Sequence, residues 1–143
     1  MKLITRDTDY AIRAICFIAR GDKKITSVGD LVRALKIPRP FLRKILQRLN
    51  NAKLLKSYRG QGGGFSLAVP LDKIYLLGLI RIFQGQFKLN ECFFKKRSCP
   101  DIPTCGLKKK IDKIEKQVIK GLDAINISCL LEQEGKYAQK EDY

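Results

Sequence analysis

The sequence predicts a mainly α fold with a small β-hairpin wing: a winged helix-turn-helix followed by a long C-terminal dimerisation helix. Three observations predict it. A short helical pattern, a proline-broken turn and a basic helical pattern follow one another over residues 26–53. A glycine-tipped pair of β-prone runs occupies residues 54–69. Over residues 107–125 an apolar residue recurs at spacings of mostly three and four. With 143 residues the chain has room for one apolar core plus an extra helix or arm, and no internal repeat is visible.

The first element is DTDYAIRAICFIAR, residues 7–20, where Tyr10, Ala11, Ala14, Ile15, Phe17 and Ile18 share one side at helical spacing and Gly21 ends the run. Cys16 lies among these apolar neighbours and reads as a packing residue. A second helix is expected over TSVGDLVRAL, residues 26–35, with Thr26 as its cap and Asp30 in its first turn, where a carboxylate suits the helix dipole. The segment KIPRP breaks the chain, because a residue before proline is pushed out of the helical region. A third helix begins at Pro40, burying Phe41, Leu42, Ile45, Leu46 and Leu49 and turning Arg43, Lys44, Gln47 and Arg48 outward.

Two β-prone runs, Leu54 to Tyr58 and Phe65 to Val69, flank RGQGGG, whose glycines permit the positive φ angles of a hairpin tip. Arg59 and Gln61 project from that tip. LDKIYLLGLIRIFQ, residues 71–84, forms a further amphipathic helix ended by Gly85. Leu107, Ile111, Ile114, Val118, Leu122 and Ile125 then mark a narrow seam along a long helix, the pattern of a helix that packs on a copy of itself. The expected division is a winged helix-turn-helix domain over 1–84, a cysteine-rich loop over 85–106, a dimerisation helix over 107–131 and a flexible tail over 132–143.

Charge and cysteines bound the chemistry. The net charge is +15, and between Asp30 and Asp72 nine Lys and Arg residues stand with no acidic residue. A polyanion is the natural partner, since each neutralised phosphate releases a condensed counterion. No apolar run reaches membrane-spanning length, and the N-terminus lacks a signal-peptide pattern, so a cytoplasmic location and no membrane partner are expected. No enzyme is expected: nucleophile and base pairs, a Walker loop and a dinucleotide fingerprint are all missing, and the glycines at 60–64 sit in a hairpin.

Three of the five cysteines, Cys92, Cys99 and Cys105, fall in ECFFKKRSCPDIPTC, and the chain has no histidine. Their spacing of six and five residues lacks the close pairs usual at zinc. It suits an iron-sulfur cluster better, while zinc and uncoordinated redox thiols stay open. Three thiolates leave a cubane cluster one ligand short. The fourth could be an oxygen, Cys16, Cys129, water or an external molecule.

MKLITRDTDYAIRA, IPRPFLRKILQRLNNAKLLKSYRGQGGGFSLA and DKIYLLGLIRIFQG, ahead of the three-cysteine loop and final helix, resemble the bacterial winged-helix regulators of the IscR, NsrR and CymR family, and most of all its nitric-oxide-sensing, iron-sulfur NsrR-like members. The resemblance spans residues 1–130 in order. It implies a homodimer on double-stranded operator DNA, with Cys92, Cys99 and Cys105 as cluster ligands and Asp9, in Thr8-Asp9-Tyr10-Ala11-Ile12-Arg13, completing the site from the partner subunit. Asp7 is the reserve for Asp9. Members with a histidine after the third cysteine differ, because position 107 is Leu, and this favours a 4Fe-4S over a 2Fe-2S cluster. DNA contacts are expected from Arg39, Arg43, Lys44, Gln47 and Arg48 on the third helix and from Ser57, Tyr58, Arg59, Gly60 and Gln61 on the wing. Several members carry an acidic residue where Arg43 stands, so the operator sequence does not transfer. The expected function is a transcriptional repressor whose operator affinity is set by a cluster sensing nitric oxide, redox state or iron-sulfur status. The alternative is a cluster-free regulator of the same family switched by thiols, zinc or a protein partner.

Overall fold

The computed structural model describes residues 2–89 and 104–138. The element order is α1 (Arg6–Arg20), α2 (Val28–Leu35), α3 (Arg39–Asn51), β1 (Leu55–Tyr58), β2 (Gly64–Leu67), a single 3-10 turn (Leu71–Lys73), α4 (Leu76–Gln84), α5 (Gly106–Asp123) and α6 (Ile127–Ala138). The expected helix-turn-helix and hairpin order is therefore present.

The core is built where the apolar spacing said it would be. Ala11, Ala14, Ile15 and Ile18 of α1 meet Leu31 of α2 and Leu42, Ile45, Leu46 and Leu49 of α3, all nearly or fully inaccessible. Truncating one of these leucines to alanine would cost about 2–5 kcal/mol. Cys16 is buried in the same cluster, and burial pushes its thiol up against the opposing pull of Arg20, which fits a packing role. Phe41 is the exception: expected in the core, it is 56% exposed. It stands one position before Leu42, and the hundred-degree step of a helix carries it off the buried stripe.

The turn between α2 and α3 is Lys36, Ile37 and Pro38, with Lys36 in the left-handed region at φ 54° and Ile37 buried. The cap of α2 is Ser27, whose hydroxyl accepts the Asp30 N–H at 3.1 Å. Thr26, expected as that cap, has another task. It forms a bridge to Phe65, donating its N–H at 2.9 Å and accepting from Phe65 N–H at 2.8 Å, so that the entry to α2 extends the wing. The wing itself is an antiparallel pair with Leu55 opposite Leu67 and Tyr58 opposite Gly64. Gly64 lies so close to this junction that a Cβ there would come within 2.2 Å of the Thr26 carbonyl oxygen.

The C-terminal half departs from the expected elements in three places. The helix expected over 71–84 starts only at Leu76, because Ile74 and Tyr75 are extended and pair with the chain around Asn126: Leu76 N–H donates to the Ile125 carbonyl and Ile127 N–H to the Ile74 carbonyl, each at 2.9 Å. The helix expected over 107–131 is two helices, since α5 ends at Asp123 and α6 starts after Asn126, whose side chain caps it by accepting Cys129 N–H at 2.9 Å. The helix α6 also continues to Ala138, into the stretch expected to be a tail. Ile127 is fully buried in the main core, whereas Leu122 joins a smaller cluster with Leu76, Leu77, Ile80 and Phe87.

Two outcomes follow from these contacts. Gly64→Ala forces backbone against backbone, and a loss of about 1–3 kcal/mol is expected in urea unfolding, the usual cost of overpacking. Asp30 is held by Lys23 at 3.1 Å, by Arg33 and by its place over Ser27, and the Lys23 bond chiefly keeps its carboxyl well below the ordinary carboxylate range. A depressed folded-state value means the contribution is complete above the unfolded value of about 4 and is lost as the pH falls below it. Asp30→Asn should therefore lower stability at neutral pH and flatten the acid limb of a stability against pH profile.

Candidate nucleic-acid interface and cysteine site

The basic face of the protein is assembled by geometry that follows from the buried stripe of α3. Once Leu42, Ile45, Leu46 and Leu49 point inward, Arg39, Arg43, Lys44, Gln47 and Arg48 can only face outward, and all are exposed. The Arg39 guanidinium lies against the first turn of α2, where a Cβ on Gly29 would be 3.7 Å from it. No acidic residue stands on α3.

The wing places a second set of donors. Its tip turns at Gly60 and Gly62, with φ of 89° and 72°, and Gly63 N–H closes the turn on the Gly60 carbonyl at 3.0 Å. Arg59, Gly60 and Gln61 are exposed at this tip and Ser57 on the strand below it. Tyr58 is half-buried; the Ser66 hydroxyl, 3.5 Å from its phenol oxygen, holds that phenol below its usual range with help from the Lys56 and Lys24 charges. The Lys56 ammonium lies 5.4 Å from the Tyr58 ring centroid. Lys56 and Lys24 were not among the expected contact residues, although both belong to the basic surface. Lys24 comes to the wing only through the Thr26–Phe65 bridge, a contact that sequence spacing does not announce.

Between α1, α3 and α4 lies an open cleft of about 350 Å³ lined by Asp7, Phe41, Lys44, Arg48 and Phe83 among others. The Arg48 guanidinium stands 5.3 Å from the centroid of the Phe83 ring. Phe83 was missed as a partner of the basic helix because 35 positions separate the two residues, and no local pattern links them.

Of the expected cysteine ligands, Cys92 and Cys99 lie outside the described residues. Cys105 is described. It is half-exposed and caps α5, its sulfur accepting the Lys108 N–H at 3.4 Å. The near stem of the cysteine segment is fixed by burial of Phe87 and by Leu89 N–H, which donates to Glu115 of α5 at 2.9 Å. Asp9 lies on α1 with its Oδ2 2.9 Å from Arg13 Nε, nearly half exposed. Asp7, its reserve, lines the cleft instead. Among the described residues no three His, Cys, Asp or Glu side chains come together as a metal site. Cys129 is exposed on α6 and Cys16 is buried, and the described thiols are all free.

Surface cations that contact phosphate each contribute a salt dependence. Arg43→Ala or Lys44→Ala should reduce the slope of log affinity against log salt by about 0.9 on a random-sequence duplex, measured by fluorescence anisotropy.

The sequence matches the Rrf2 family, described as an iron-dependent transcriptional regulator, over residues 4–133. It is 32% identical over 129 residues to the HTH-type transcriptional regulator NsrR of Oceanobacillus iheyensis, covering 89% of this chain and 88% of that one. Among solved structures, CymR, the global cysteine regulator of B. subtilis, superposes with a TM-score of 0.72 at 23% identity, covering 93% of this chain and 98% of that one. IscR of T. potens superposes with a TM-score of 0.70 at 22% identity, covering 94% and 88%. Among the described residues no helix is long and apolar enough to cross a membrane. A winged helix-turn-helix with a basic recognition face and a match spanning almost its whole length place this chain in the Rrf2 family of DNA-binding transcriptional regulators.

Proposed function

We propose that this protein is a dimeric repressor whose grip on operator DNA is set by an iron-sulfur cluster bound at Cys92, Cys99 and Cys105, with Asp9 of a partner subunit as the fourth ligand. The observation that carries the sensing half is the position of Cys105. Its sulfur sits at the N-terminus of α5, accepting a backbone N–H, in a chain whose other two loop cysteines, Cys99 and Cys92, are six and thirteen positions upstream in sequence. That donor set fits a thiolate-ligated cluster, and the absence of histidine from the chain favours 4Fe-4S over 2Fe-2S. Such a group, when bound, supplies a centre that reacts with nitric oxide and oxidants.

The remaining roles belong to this chain's own side chains. Arg39, Arg43 and Lys44 meet phosphates or the guanine O6 and N7 edges in the major groove, with Gln47 beside them, and Arg48 meets phosphate. Arg59 and Gln61 reach the minor groove from the wing tip, with Ser57, Tyr58 and Gly60 against the backbone. Leu107 and Ile114 of α5, 71% and 49% exposed, support dimerisation through that helix, and a dimer gives the operator its two half-sites. For Asp9 to serve a partner's site, its bond to Arg13 must open or be shared.

A second reading keeps the DNA binding and replaces the cluster with a thiol switch, zinc or a protein partner. The structural likeness to CymR, including an oxidised form of Staphylococcus aureus CymR at a TM-score of 0.69, supports keeping it. One experiment separates the two. Protein purified without oxygen should be brown, contain iron and sulfide, and lose operator binding on exposure to nitric oxide. Serine at Cys92, Cys99 or Cys105 should abolish the visible absorption, and Asp9→Ala should change the spectrum or shorten the cluster's lifetime. Colourless protein without iron after reconstitution overturns the cluster and leaves the second reading.

A further inference from the structure

We infer that Phe83 is a positioning residue for operator binding, holding the Arg48 guanidinium ready for a phosphate. This rests on the reading that α3 enters the operator. Arg48 is exposed on the basic face, one helical turn beyond Lys44, and on the proposed reading it meets the phosphate backbone. A long exposed side chain would ordinarily sample many rotamers, and ordering it on binding costs affinity. Here the guanidinium stands 5.3 Å from the centroid of the Phe83 ring, within the range of attraction between a cation and an aromatic face. An attraction to the ring uses none of the guanidinium N–H donors, so they remain available to a phosphate.

The ring is itself fixed. Phe83 is half-buried and packs against the main core from the last turn of α4. The next residue ties that turn down: Gln84 Oε1 accepts from Thr5 N–H at 3.0 Å and from the Thr8 hydroxyl at 2.8 Å. A half-buried, packed aromatic ring therefore lies near an exposed cation, and both line a cleft that is open to solvent. Phe41, Lys44 and Asp7 line the same cleft.

The test uses the full-length protein, a duplex that it selects from a random-sequence pool, and four variants: Phe83→Leu, Phe83→Tyr, Arg48→Ala and the Phe83→Leu, Arg48→Ala double variant. A thermal melt establishes that each is folded. Phe83→Leu keeps apolar bulk without the aromatic face and should weaken binding about two- to fivefold. Phe83→Tyr keeps the face and should bind as the parent does. Arg48→Ala should reduce the salt slope by about 0.9. In the Arg48→Ala background the leucine substitution should have no further effect. If the leucine effect persists there, or if tyrosine fails to rescue, Phe83 acts through general packing and the inference is overturned while Arg48 keeps its phosphate. If Arg48→Ala changes neither affinity nor slope, Arg48 makes no phosphate contact, and the reading of that residue falls with the inference.

Discussion

The pairing of Thr26 with Phe65 is the contact on which the layout of the basic surface depends. It joins the start of α2 to the second strand of the wing by two backbone hydrogen bonds, and so sets the wing against the helix-turn-helix. A groove reader with two separate probes gains affinity only if they are held at a fixed spacing, because ordering them on binding would cost what the contacts contribute. Gly64 makes the approach possible, since any side chain there would collide with the Thr26 carbonyl. The same junction brings Lys23 and Asp30 together at the foot of α2 and sets Lys24 beside the wing. One short backbone contact thus organises both the stability of the motif and the layout of its positive charge.

A second junction lies at the end of α4, where three consecutive residues do different things. Phe83 stands near Arg48 of α3, Gln84 binds the segment of chain that leads into α1, and Gly85, at φ 77°, turns away toward the cysteine segment. Gln84 also donates to the Leu3 carbonyl at 3.3 Å. A shift of this turn by a fraction of an ångström would be felt by the basic helix and by the base of α1 together, because packed interfaces of this kind move between discrete arrangements rather than deforming smoothly.

How much of this was legible in the sequence differs by level. The buried stripes of α1 and α3, the glycine tip and the basic face followed from periodicity and spacing alone, since local pattern determines them. Phe41 shows the limit of that reasoning: an aromatic next to a core leucine was counted with the core, and the helical rotation carried it to the surface. The helix break near Asn126 had a local signal, an asparagine in cap position, but the continuing apolar spacing masked it. The delayed start of α4 had none, because Tyr75 is held extended by residues around Asn126 far along the chain. The Thr26 bridge and the Phe83–Arg48 contact are long-range in the same way. Of the expected cysteine site only Cys105 and Asp9 have described positions, on the start of α5 and the surface of α1.

On the proposed reading, the placement of Cys105 gives a change in ligation a short route to the basic helix. Both described ends of the cysteine segment are attached to α5: one through the Cys105 cap at its first turn, the other through the bond from Leu89 to Glu115 two turns on. The opposite end of α5 carries Leu122 into the small cluster formed by Leu76, Leu77 and Ile80 of α4. If Cys105 is a ligand as proposed, a change there acts on α5, whose far end packs on α4, and α4 in turn places Phe83 near Arg48. Coupling of this kind needs only that the two states differ by the free energy of a few contacts, about 1–3 kcal/mol, to change operator occupancy usefully. The exposed Leu107 and Ile114 lie along the same rod, so a partner seated there would receive the same displacement, and two recognition helices would respond as a pair.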